Sequence, residues 1–173
     1  MSLPAARASE LLLPVKPVLI VASLIVALFL NLLPWPGAVL LLRPDFVALT
    51  LLYWCIHHPR KVGFWSAWFM GLIMDIADGA VLGEHALAYA LLAYLAILLY
   101  RRVPMFGLRQ QIWHVLPVLL LGQLAILFVK TYSGANFIGW GFFLSSVTGA
   151  LLWPVISILL LLPQRPKPDP DEI

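Results

Sequence analysis

The chain has 173 residues, 62% of them hydrophobic, with 11 Lys/Arg against 8 Asp/Glu, and a mean hydropathy of +0.97. So few charges cannot clothe a water-facing surface, which argues against a soluble enzyme, a nucleic-acid-binding domain or a disordered scaffold. The apolar stretches are continuous rather than alternating, so a transmembrane barrel is excluded and a helical membrane protein remains.

Apolar runs fall near 17–34, 38–57, 62–82, 85–100, 112–129 and 142–162. Each approaches the roughly 20 residues a helix needs to cross a hydrocarbon core of about 30 Å. What is left over is too short for a folded extramembrane domain. The predicted fold class is therefore all-α, a polytopic membrane bundle of about six transmembrane helices. The chain divides into an N-terminal tail (1–16), the six-helix domain (17–162) and a proline-rich, charged tail (163–173), which composition makes extended. The first run sits where a signal peptide would. However, Asn31-Leu32-Leu33-Pro34-Trp35-Pro36 offers no small-x-small cleavage pattern, so it reads as an uncleaved anchor.

Charge placement predicts the orientation. Arg7, Lys16, Arg60, Lys61, Arg101, Arg102, Arg109, Arg165 and Lys167 all fall on one side if both termini are cytoplasmic, leaving Lys130 in an outer loop and Arg43 within a span. The positive-inside rule favours that arrangement. Trp35 and Trp140 then lie at outer boundaries and Trp54, Trp65 and Trp113 near inner ones, as an interfacial belt requires, whereas Trp153 lies mid-span beside Pro154.

In the second run, Arg43-Pro44-Asp45 interrupts the helix: the proline removes a donor, and Asp45 is placed to cap the next helical segment. Two readings stand, a short re-entrant piece (36–43) followed by a half-length helix (45–57), or a long outer loop dipping into the interface. In the third run, Ala67, Gly71, Asp75, Gly79 and Gly83 recur every fourth residue and form a stripe of small side chains that admits a close helix neighbour. Asp75 lies within that stripe and Asp78 three residues on, and polar groups inside spans are expensive. Counting residues at about 1.5 Å each puts Asp75 and Arg43 at similar depth, about 10 Å below the outer boundary. An Arg43–Asp75 ion pair, shared with Asp78 or Asp45, is expected.

Gln123 reads as interhelical glue, and Pro117 and Pro154 as kinks. Ser145, Ser146, Thr148 and Gly149 read as a packing patch, and His57-His58 as interfacial. Cys55 is the single cysteine, so no disulfide or paired-thiol metal site is available, and neither metal nor cofactor is expected. No nucleophile has a base nearby, and Asp75 and Asp78 share one helix, unlike the two-helix dyad of an intramembrane aspartyl protease. Transport of a small ligand and docking of other membrane helices both remain open on these residues.

Arg43-Pro44-Asp45-Phe46 running to Tyr53-Trp54 resembles the second-span pattern of the bacterial rod-shape-determining MreD family. Gly71-Leu72-Ile73-Met74-Asp75 with Gly79, Leu82, Gly83, His85, Ala86 and Leu87 resembles its third. Tyr100 with Arg101-Arg102, Gln110-Gln111, Gln123 and Leu152-Trp153-Pro154 add to the likeness, which covers about 15–162. The resemblance implies a non-catalytic subunit of the machinery that lays down lateral-wall peptidoglycan. Its implied partners are an MreC-type single-pass scaffold, an MreB-type filament, a RodA-type glycosyltransferase and its penicillin-binding transpeptidase, within membrane lipid and without nucleic acid. The family's bundle is also similar to the substrate-binding components of energy-coupling-factor transporters, so a small-molecule-binding component of a vitamin transporter is the alternative.

Overall fold

Pro17 opens the first helix, where its missing N–H removes no helical hydrogen bond. The computed structural model describes residues 15–37, 39–135 and 139–164. The expected tails fall almost entirely outside them. In chain order the helices are α1 (Pro17–Leu32), α2 (Val39–Leu42), α3 (Phe46–His57), α4 (Phe64–Asp78), α5 (Glu84–Leu99), α6 (Leu108–Tyr132) and α7 (Leu144–Leu161). Each of the six apolar runs thus carries helix, with α2 and α3 dividing the second, and no strand occurs among the described residues. Val39–His57, Leu108–Tyr132 and Trp140–Gln164 are long and apolar enough to cross a membrane, and Pro17–Leu32 and Glu84–Leu99 are shorter apolar helices.

The core forms around α3. From Val47 to Ile56 every residue is buried, because α1, α5 and α7 all pack against this one short helix. A helix covered on every side has no polar face to display, which accounts for its unbroken apolar sequence. Around it the chain runs as successive antiparallel neighbours, α4 on α5, α5 on α6 and α6 on α7.

The break before α3 has the form the sequence suggests. Arg43 precedes a proline, which disfavours helical backbone there, and helix resumes at Phe46 with Asp45 as its N-cap, accepting from the Ala48 N–H at 2.9 Å. The third run departs from expectation. Helix α4 stops at Asp78, and Gly79 (φ 64°) and Gly83 (φ 102°) are its C-cap and the N-cap of α5. Both hold left-handed backbone that favours glycine, and a Cβ on either would meet nothing within 4 Å. They belong to the turn and not to a packing stripe, which is confined to Ala67, Gly71 and Asp75.

Gly71 marks the closest helix approach. A Cβ there would stand 2.6 Å from the His85 carbonyl oxygen and closer still to the Ala86 backbone. Only hydrogen at that position lets α5 lie against α4.

One tryptophan is relocated and a second finds its partner. Trp54 is fully buried and donates from Nε1 to Ser23 Oγ at 2.9 Å, so it is core and not part of a belt. Trp153, equally buried, donates to Gln111 Oε1 at 2.8 Å, which explains an indole in mid-helix. Trp65, Trp113 and Trp140 are largely exposed.

Candidate functional site

At the end of the bundle opposite the Arg60-Lys61 and Arg101-Arg102 loops, the helix ends enclose a cavity of about 620 Å³. That is the size of a small-molecule site. Arg43, Asp45, Asp78, Glu84, Gln123 and Lys130 reach its wall.

Asp45 is fixed from three helices. Besides capping α3, its carboxylate accepts from Asn31 Nδ2 of α1 at 2.8 Å and from the Tyr89 hydroxyl of α5 at 2.8 Å to Oδ2. Asn31 completes a reciprocal clamp, its Oδ1 accepting from the Phe46 N–H at 2.9 Å. Asn31 and Tyr89 are themselves buried, so each polar group meets a partner in place of water.

Asp75 plays the same part for another helix. Wholly buried near the end of α4, it accepts from the Gly83 N–H at 2.9 Å and the His85 N–H at 2.7 Å. The Ala86 N–H adds a longer contact at 3.4 Å, and His85 Nδ1 lies 2.9 Å from Oδ1. These are the orphan donors of the first turn of α5, where the helix dipole also favours a negative charge. Asp75 therefore caps α5 across the turn that joins the two helices.

The expected Arg43–Asp75 ion pair does not form. Arg43 donates from Nη1 to the Asn31 carbonyl oxygen, and among the described residues no carboxylate lies within ion-pair distance of it. Asp75 needs no arginine because backbone N–H groups and His85 already satisfy it. Asp45 and Asp75 each serve their own helix, α3 and α5. Asp78, exposed at the cavity mouth, forms no hydrogen bond or ion pair among the described residues.

The ion pair that the cavity does contain is between residues outside the expected set. Glu84, the buried first residue of α5, lies 3.1 Å from Nζ of Lys130. Lys130 belongs to the last turn of α6 and not to an outer loop, where a cation suits the negative end of the helix. Glu84 escaped the sequence reading because it fell between two apolar runs. Its place directly after Gly83 is a helix-start signal that would have found it. Asn31 was equally legible as an amide inside a span.

Gln123 ties α6 to the start of α7. Its Nε2 donates to the Phe142 carbonyl oxygen at 2.9 Å and to Ser145 Oγ, while Ser146 Oγ donates to its Oε1. The serine patch thus has a specific partner. No group of three His, Cys, Asp or Glu is arranged to hold a metal among the described residues.

These features define a polytopic helical membrane protein whose buried polar groups join helix ends around one cavity. The family model for rod shape-determining protein MreD matches residues 15–162. A rod shape-determining protein MreD from Haemophilus influenzae is 30% identical over 141 residues, covering 82% of this chain and 87% of that relative. The chain belongs to the MreD family and has a role in rod-shape determination. No solved structure matches it.

Proposed function

We propose that the protein is a non-catalytic subunit of the cell-elongation complex in the bacterial inner membrane, with both termini cytoplasmic, and that it docks the transmembrane helix of an MreC-type scaffold. Family membership across nearly the whole membrane domain carries this reading. Asp45 and Asp75 support it, because their oxygens are engaged in capping α3 and α5 and are not presented to a substrate. Arg43, Asp45 and Asp75 then act by holding the geometry of the outer end against which the partner helix lies, and Asp78 lies exposed beside that docking surface. Ala67, Gly71 and Gln123 fix the helices behind it. MreB-type, RodA-type and transpeptidase partners join through the assembled complex. The Arg101, Arg102 and Arg109 loop meets anionic lipid on the cytoplasmic side.

The test is affinity purification of the tagged full-length protein from detergent-solubilised membranes, with mass spectrometry of what accompanies it. Recovery of a single-pass scaffold, lost on Asp45→Ala in a variant that still inserts, is the expected result. The cavity favours a second reading, a ligand-binding transporter component resembling those of energy-coupling-factor systems. Recovery of an ATPase pair with a bound vitamin, and no scaffold, establishes that reading and overturns the first.

A further inference from the structure

We infer that the cavity is a binding site for a zwitterionic group, with a phosphate received by Arg43 and an ammonium by Asp78. Arg43 has donors to spare. A guanidinium carries five in a planar fork, yet among the described residues Arg43 makes one hydrogen bond, to the Asn31 carbonyl oxygen. No carboxylate among those residues neutralises it.

The other charged groups of the wall are already engaged. Glu84 is held by Lys130, and Asp45 is saturated by Asn31, Ala48 and Tyr89. On the cavity wall, Asp45 is occupied by neutral donors, and among the described residues the charged side chains that no other side chain engages are one cation, Arg43, and one anion, Asp78. An occupant complementary to both bears one charge of each sign. Phosphate is the anion that best matches the guanidinium fork, through paired charge-assisted hydrogen bonds.

Shape and polarity agree with such an occupant. About 620 Å³ accommodates a headgroup of this kind with room to spare. Beside Arg43 the wall is apolar, formed by Leu32, Leu33, Leu40 and Leu41, so acyl chains attached to the headgroup find a compatible surface. The same chemistry is available from a phosphatidylethanolamine lipid or from a free amino-phosphate, and the experiment separates the two. Either occupant is compatible with any protein partner docked outside the cavity.

The purified full-length protein in detergent is exposed to dihexanoyl phosphatidylethanolamine, to dihexanoyl phosphatidylglycerol and to free O-phosphoethanolamine, and adducts are counted by native mass spectrometry. The ethanolamine lipid is expected to be retained in preference to the glycerol lipid. Arg43→Gln should lower its occupancy at least about tenfold, the loss of charged hydrogen bonds expressed as affinity. Asp78→Asn should keep phosphate binding but invert the preference toward the glycerol lipid, a change in selectivity that loss of structure would not produce. Competition by free O-phosphoethanolamine assigns a soluble zwitterion, and its failure to compete assigns a membrane lipid. If Arg43→Gln does not fold, the exposed Asp78→Asn variant decides alone. Equal retention of both lipids by the wild type, or a preference unmoved by Asp78→Asn, overturns the inference.

Discussion

Replacing Gly71 by alanine adds one methyl group at the tightest contact in the bundle. The new carbon would lie 2.6 Å from the His85 carbonyl oxygen. Ordinary contact needs about 3.4 Å or more, and the Ala86 nitrogen at 2.5 Å is closer still, so the two helices must part by at least about 0.9 Å. The obstacle is backbone of α5 and not the end of a flexible side chain, so no rotamer change relieves it. Separation also stretches the bonds from Gly83 and His85 to Asp75, four residues along the same face. Overpacking of this kind costs about 1–3 kcal/mol, which corresponds to a fall in melting temperature of roughly 3–10 °C for a chain of this size. The chain provides its own probe, since Cys55 is its single cysteine and is fully buried. A thiol-reactive fluorogenic dye then reads unfolding in detergent directly. Gly107→Ala is the matched control, because a Cβ there meets nothing within 4 Å and the backbone φ is −60°. Coincident melting curves for the two variants would refute the close approach of α4 and α5.

Asp75→Ala leaves the N–H groups of Gly83 and His85 without an acceptor and should destabilise by about 2–5 kcal/mol; in a cycle with Arg43→Ala the two effects should add to within about 0.5 kcal/mol, and a larger coupling would restore the ion pair. Tyr89→Phe removes the hydroxyl bound to Asp45 and should cost about 1–2 kcal/mol in the same thiol assay, with no loss expected if that bond were absent. Trp153→Phe strands the buried Gln111 amide oxygen and should lower stability by about 1–3 kcal/mol, whereas an unchanged midpoint would place the indole elsewhere.

Burial of α3 follows from its sequence, because ten successive residues there contain only Thr50 and the hydroxyl and indole groups as polar atoms. The helical runs, their number and the interruption at Arg43-Pro44-Asp45 were likewise legible, since hydrophobic length and proline chemistry act locally. The pairing of the charges was not. Treating 62–82 as one span put Asp75 in mid-helix, where an acid demands a cation. In the structure the chain turns at Gly79 and delivers the N-terminus of α5 to that acid instead.

Composition, local backbone preference and the order of short motifs are enough to establish a helical membrane protein, where its helices run and break, and which family it resembles. The packing of the helices selects which donors satisfy Asp45 and Asp75, pairs Glu84 with Lys130, and leaves Arg43 and Asp78 on one cavity with no ion-pair partner among the described residues. Those choices depend on where helix ends meet in space. A buried acid is satisfied equally well by an arginine or by the free N–H groups of a neighbouring helix, and spacing along the chain does not distinguish them.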